Sequence, residues 1–437
     1  MDISSIKRMK IKIQAFFILF LAVLENGVIG QMPLPLVSNS KFNTDKTKNK
    51  NWQRHIIDNS LSGADGVRLK DVNNDGLQDI TTGWEEGGYT KVYLHPGYKK
   101  AKQQWPFVVV GKTVSIEDAV FADVDNDGAI DVISSTEWKH QKVYINWAPA
   151  NKDNYLDASK WKSEVIPVSE NITQWMFAVP MQIDAKNGLD IVVGSKNNNA
   201  QIGWFQAPKN PRNMDDWKYY PISNATWVMS IISRDMDGDG DLDIVVSDRN
   251  IGATNGVRWL ENPGKRRKQK KFWKSHFIGA KNVRVMFMDL ADIDGDQLED
   301  AIAAEYTNQK IVFMRRLDNT GLNWDTFNID IPETTGRAKA VKVGDINKDG
   351  KLDVVYTSNT FEKDGQSGIY WLSYKDKPIE SIWEWHNISG LEGIKYDRVE
   401  LIDLDGDGDL DVLTCEENYG ENSQGLGVIW YENPRIL

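Results

Sequence analysis

A stretch of the form Asp-x-Asp-x-Asp-Gly-x-x-Asp, followed by two apolar residues, begins at Asp71, Asp123, Gln182, Asp235, Asp292, Asp345 and Asp403, at spacings of 52, 59, 53, 57, 53 and 58 residues. The same events recur around each copy: an alternating apolar run, the acidic loop and a β-branched run such as Asp243-Ile-Val-Val-Ser. An aromatic run ending in a turn follows, as in Val257-Arg-Trp-Leu-Glu-Asn-Pro-Gly, and then a segment opened by Trp, as in Trp273-Lys-Ser-His-Phe-Ile-Gly. Four short strands in a unit of roughly 50 residues predict a propeller blade rather than the helical unit of a solenoid. The chain ends fit together on this reading. Residues 52–58 look like a fourth strand without its first three, and residues 427–434 like a third strand without its fourth. The expectation is an all-β chain with one seven-bladed β-propeller over residues 52–437, its N-terminal strand closing the last blade and so covering an open sheet edge.

Composition excludes several alternatives. Cys415 is the one cysteine of 437 residues, so there is no internal disulfide framework and no cysteine-based metal site. With 63 Asp+Glu against 52 Lys+Arg, the net charge of −11 is the wrong sign for a general nucleic-acid binder. Lys7, Arg8, Lys10 and Lys12 precede an apolar run over residues 13–24, and Val28 and Gly30 stand before Gln31. This pattern predicts a signal peptide over residues 1–30, followed by a polar linker over 31–51. The apolar run is too short to span a bilayer comfortably, so a secreted or periplasmic protein without membrane insertion is expected, and as a monomer.

Carboxylates at positions 1, 3, 5 and 9 of a tight loop surround one point with hard oxygen ligands, which suits calcium. Loop one offers Asp71, Asn73, Asp75 and Asp79, loop two Asp123, Asp125, Asp127 and Asp131, and loop four Asp235, Asp237, Asp239 and Asp243. Loop five offers Asp292, Asp294, Asp296 and Asp300, loop six Asp345, Asn347, Asp349 and Asp353, and loop seven Asp403, Asp405, Asp407 and Asp411. Loop three departs, with Gln182, Asp184 and Lys186 at its first three ligand positions, where the lysine would take the cation's place. No loop has Glu at position 12, which rejects an EF-hand. The 22 carboxylates of the other loops would repel one another without counter-charge, so up to six structural calcium ions are expected.

These loops, cleanest in Asp235-Met-Asp-Gly-Asp-Gly-Asp-Leu-Asp-Ile-Val-Val, resemble the FG-GAP/VCBS repeat of integrin-α-type propellers. The resemblance covers nearly the whole chain after the leader and implies the seven-bladed ring. The repeat occurs in adhesion receptors, lectins and polysaccharide lyases, so it does not choose among functions.

The repeat separates scaffold from site. His55, His276 and His386 share one fourth-strand slot, His95 lies in a third-strand turn expected on the acidic-loop face, and His140 has no counterpart in other blades. Trp204, Trp259, Trp371 and Trp430 follow the third-strand repeat. The ring end opposite the acidic loops gathers unrepeated residues. Among these, Trp84, Trp138, Trp175, Trp227, Arg284, Lys339 and Arg398 are expected to face a ligand. Indole faces and guanidiniums together suit an anionic carbohydrate. Elimination across a uronic acid needs a cation on the carboxylate, a base for the C5 proton and an acid for the leaving oxygen. Propeller-fold uronate lyases are similar in using a His/Tyr pair with Arg. Carried over, His140 and Tyr306 would be base and acid in either order, with Arg249, Lys196 and Arg337 as neutralisers. The expected activity is a polysaccharide lyase or oligosaccharide dehydratase, for example on a sulfated algal polysaccharide such as ulvan. A calcium-dependent lectin or adhesion propeller without catalysis is the alternative. A hydrolase using Glu117, Glu137, Asp248, Glu305 or Glu416 stands below both.

Overall fold

In every unit the second strand is the sheet's interior member, and from Asp79–Trp84 to Asp411–Glu416 all its positions are buried. A short apolar run bounded by polar turns is buried on both faces only if another sheet packs on each side, and that requirement curls the units into a ring. The computed structural model describes residues 51–264, 271–359, 368–380, 382–419 and 425–434. The expected leader, and all but the last residue of the linker, therefore lie outside the described residues.

The described residues form seven four-stranded antiparallel sheets, over residues 64–112, 116–165, 174–224, 228–279, 285–330 and 337–387, with the seventh over residues 396–432 plus Gln53–Asp58. Strands run from inner to outer edge in chain order in six of them. The seventh takes its outer strand from the far end of the chain, with Gln53 opposite Glu432 and His55 opposite Trp430. Each inner strand packs against the inner strands of both neighbouring blades, and blade seven meets blade one. The protein is the seven-bladed β-propeller that the repeat predicts, closed by its N-terminal strand.

Between third and outer strands the repeat builds a stacking ladder. His276 lies on Trp259 with centroids 4.3 Å apart, His386 on Trp371 at 3.9 Å and His55 on Trp430 at 4.4 Å, and in blade three Tyr220 meets Trp204 at 5.3 Å. The shared histidine slot is scaffold. His95 is scaffold too, with Nε2 3.0 Å from the Leu404 carbonyl of loop seven on the acidic-loop face.

Every inner strand breaks register near the opposite end of the ring, for example between Asp65 and Arg68, Trp175 and Ala178, and Ala338 and Val341. A bulge re-aims the residues it contains. The residues within the breaks include Glu117, Met176, Phe177, Met229, Met286, Phe287, Lys339 and Asp397, and all of these line the cavity at that end.

Candidate functional site

The acidic loops share one hydrogen-bond plan. The ninth-position aspartate is buried in all seven blades. In loop four its Oδ2 accepts the Met236 N–H at 2.9 Å and its Oδ1 the Asn262 N–H at 2.7 Å, tying the loop's second residue to the turn after the third strand. Asp190 does the same in loop three, with Ile183 and Ala207 both at 2.9 Å, although that loop has Gln182 and Lys186 at its first and fifth positions. The ninth aspartate therefore has a fold role separable from cation binding. Burial, opposed by these N–H groups, pushes Asp79 and Asp190 up to about 6, Asp243, Asp300 and Asp353 to about 7 and Asp131 and Asp411 to about 8.

Carboxylate oxygens converge within several loops, with the ninth aspartate included in loop five. One oxygen from each of Asp123, Asp125 and Asp127 lies within 4.8 Å of the others, and the same holds for Asp235, Asp237 and Asp239 and for Asp292, Asp294 and Asp300. In loop three the Lys186 ammonium sits 3.3 Å from Asp184, as the sequence predicts.

At the other end of the ring lies a cavity of about 360 Å³, floored by Met176, Phe177, Met229, Met286 and Phe287. Its walls differ in character. Blades one, two and seven present Asp65, Glu85, Glu117, Glu137, Asp397 and Glu417, threaded by lysines from three blades. Lys196 pairs with Glu117 at 2.6 Å and with Glu137. Lys339 pairs with Asp397 at 2.9 Å and with Glu417, and Lys395 reaches Glu417 at 2.8 Å. Burial first, then the neighbouring Glu117 charge, raises Glu137 well above its ordinary value, while the Lys196 ammonium opposes the shift. Burial together with Asp397 lifts Asp65 well above the usual carboxylate range.

The opposite wall, from blades four and five, is aromatic and cationic. The Arg249 guanidinium lies 4.4 Å from the Trp227 ring centroid and 5.4 Å from that of Tyr306. Arg337 stands over Tyr306 at 5.0 Å. Nε of Arg249 is buried with no hydrogen-bond partner among the described residues. Burial, reinforced by the Arg284 charge and opposed by Tyr306, holds Arg249 below its ordinary value. Arg249 thus lines the cavity with two aromatic rings beside its guanidinium.

Of the residues singled out in the sequence, Lys196, Arg249, Tyr306, Trp138, Trp227 and Lys339 line this cavity. Trp138 stands 60% exposed at the rim, with a φ of 50°. Arg337 and exposed Arg284 flank the Tyr306 side, where the Tyr306 N–H donates to the Arg284 carbonyl at 2.9 Å. Several expectations are corrected. Trp84 and Trp175 are fully buried core residues, because second-strand ends and inner strands turn large apolar side chains between blades. Their indole N–H groups donate to the Tyr93 hydroxyl at 2.9 Å and to the Ser169 carbonyl at 3.0 Å. Arg398 lies beneath the floor, over Phe177 and Phe287, lining a separate cavity of about 280 Å³. Lys196 and Lys339 are already neutralised by glutamates and aspartate, so neither is a spare cation. His140 is half-buried in the turn after Glu137 and does not line the cavity, so the cavity does not bring it together with Tyr306.

Two of the carboxylates considered for hydrolysis, Glu117 and Glu137, reach the cavity. The others hold loops together. Asp248 accepts from the Thr226 and Trp227 N–H groups at 3.0 and 2.8 Å, Glu305 from Thr307 and Asn308 at 2.8 and 2.7 Å, and Glu416 from Lys395 and Leu426 at 2.9 and 2.8 Å. The sequence placed Glu85, Lys395, Asp397 and Glu417 at the mouth without a site role, and sequence reasoning did not single out Asp65 or the Met/Phe floor. The available signal was the break in apolar alternation inside each inner strand, as at Met176-Phe177-Ala178 and Met286-Phe287-Met288.

A sequence profile of the family described as FG-GAP-like repeat matches residues 48–134 and 292–356. The chain carries FG-GAP-like repeats within a seven-bladed β-propeller. No curated protein matches it in sequence. Among solved structures, it is similar to BBS1N in complex with ARL6DN. The lead-soaked crystal has 12% identity, coverage of 89% of this chain and 99% of that chain, and a TM-score of 0.52. The mercury-soaked crystal has 11% identity, coverage of 91% and 98%, and a TM-score of 0.50. A luciferin-regenerating enzyme shares 11% identity over 78% of this chain and 99% of its own, with a TM-score of 0.43. At such identities the likeness concerns the fold alone.

Proposed function

We propose that the mouth binds an anionic, uronate-bearing saccharide and acts on it by β-elimination. The observation that supports this reading is Arg249 lining the cavity beside the Trp227 and Tyr306 rings, across from a wall that holds Glu137. The two rings take the apolar face of a sugar, while Arg249, with Arg337 and Arg284 nearby, offsets its carboxylate and acidifies the C5 proton. The Tyr306 oxygen, acting as the phenolate after giving its own proton to solvent, receives that proton, the C5 electron pair forms the C4=C5 bond, and the C4–O bond breaks. Glu137 supplies the proton that the leaving oxygen needs. A sugar leaving group makes the enzyme a lyase, and water makes it a dehydratase.

The six intact acidic loops hold calcium in this reading, supplying counter-charge that fixes the turns. The leader pattern of residues 1–30 supports export, and the net charge of −11 argues against nucleic acid as a partner. A calcium-dependent lectin remains the second reading, favoured by the position of His140 away from the cavity lining.

The test is ultraviolet absorbance of the new unsaturated uronate on a panel of uronate poly- and oligosaccharides. Turnover should fall about a hundredfold or more in Tyr306→Phe and in Arg249→Met, and persist in His140→Ala. Absence of absorbance on every substrate, with saccharide binding intact, would move the protein to the lectin reading.

A further inference from the structure

The acidic loops differ in what already neutralises them. In loop two the fork of Arg212, reaching across from blade three, puts Nε on Asp125 and Nη2 on Asp127 at 3.1 Å. In loop five Arg315, from that blade's own third strand, puts Nε on Asp294 at 2.5 Å and Nη2 on Asp296 at 3.1 Å. Two arginines from unrelated places in the chain thus hold the carboxylates of positions 3 and 5 with the same atoms. Each guanidinium takes the Oδ2 atoms, while Oδ1 of the same residues accepts loop N–H groups, such as Asp127 to Asp125 at 3.3 Å and Ala129 to Asp127 at 2.8 Å.

The neighbouring blades explain the two routes. Arg315 occupies the position just before Arg316, whose N–H the ninth aspartate Asp300 holds at 2.9 Å. In blade three the same slot is Gln206, whose amide reaches Asp184, the third-position residue of the degenerate loop. In blade two the slot is Trp147, which has no cation to give. Arg212 lies over its ring, 4.6 Å from the centroid, and reaches the loop from there. Blades four and seven carry the opposite charge in this slot, Glu261 and Glu432.

We infer that the second and fifth acidic loops carry a built-in guanidinium counter-ion, so that a divalent cation must displace Arg212 or Arg315 and binds these loops more weakly than it would without them. The inference rests on the reading of the loops as calcium sites. Bidentate pairing of arginine with two carboxylates is strong enough to compete locally, because no ordering of the ligand set remains to be done. Loop three, with Lys186 on Asp184, is the same replacement carried further.

The test is calorimetric titration of Ca²⁺ alone into the full chain after chelator treatment, comparing wild type with Arg212→Ala, Arg315→Ala and the double variant. Each alanine should tighten one site by about tenfold or more, and the double variant two sites. Arg212→Lys, which keeps charge without the fork, should fall between wild type and alanine. Melting in chelator should start lower in the double variant and rise further on adding calcium. If an alanine variant does not fold, Arg212→Gln and Arg315→Gln carry the same expectation. Unchanged affinities in the double variant, or loss of a site, would overturn the inference while leaving the calcium reading intact. No calcium bound by any of the proteins would overturn both.

Discussion

Asp190 shows at the residue scale why the acidic motif outlives its cation. Its two oxygens accept buried N–H groups from Ile183 and Ala207, in the one loop where Lys186 stands in a ligand position. Asp190→Ala strands both donors, and each costs roughly 1–3 kcal/mol, so the variant should lose about 2–6 kcal/mol in urea denaturation. The loss should be the same with calcium and with chelator. A loss that appears only with calcium would mean that Asp190 acts through a cation. Residue-scale legibility was uneven for a physical reason. Repetition identified the histidine slot and the third-strand tryptophans, because stacking on the same neighbour recurs blade after blade. Uniqueness selected Trp227 and Arg249 for the mouth, but it selected Trp84 and Trp175 as well. An unrepeated indole can also fill an unrepeated gap between blades, and sequence position alone does not give the direction of a side chain.

At the scale of the element, ring closure depends on more than the ladder between Gln53–Asp58 and Gly427–Glu432. Asp58, at the end of that outer strand, accepts from the buried Lys91 ammonium at 2.7 Å and from the Tyr93 hydroxyl at 2.8 Å, both in blade one. Lys91 in turn lies over the rings of Trp84 and Phe107 at 5.0 and 4.2 Å. Asp58→Ala leaves a buried ammonium with only the Ser60 hydroxyl at 2.8 Å, and should cost about 3–5 kcal/mol in chemical denaturation. A loss below about 1 kcal/mol would show that the strand ladder closes the ring by itself. The closing strand was legible because its missing partners stood at the opposite end of the sequence. The inner-strand bulges were not, since a bulge is a register relation between two strands. Consecutive apolar residues such as Met176 and Phe177 are compatible with a regular buried strand until the partner's register is known.

Across the whole molecule, the ring keeps two chemistries apart: loops of repeated aspartates at one end and a mouth of unrepeated residues at the other. The polarity of the mouth follows from blade order. Blades seven, one and two supply carboxylates, which lysines of blades three and six reach into, and blades four and five supply Trp227, Arg249 and Tyr306. Which end was the mouth, and that its composition was asymmetric, could be read from loop order alone. Which cations were spare could not, because Lys196 and Lys339 meet their carboxylates only across the packed face of the neighbouring blade. Calorimetric titration of a uronate oligosaccharide into the full chain tests this asymmetry. The account predicts one saccharide per chain. It also predicts affinity lowered about tenfold or more in Arg249→Met, with melting unchanged, since the Arg249 Nε holds no protein partner among the described residues. Several equivalent sites per chain, or full affinity in Arg249→Met, would contradict it.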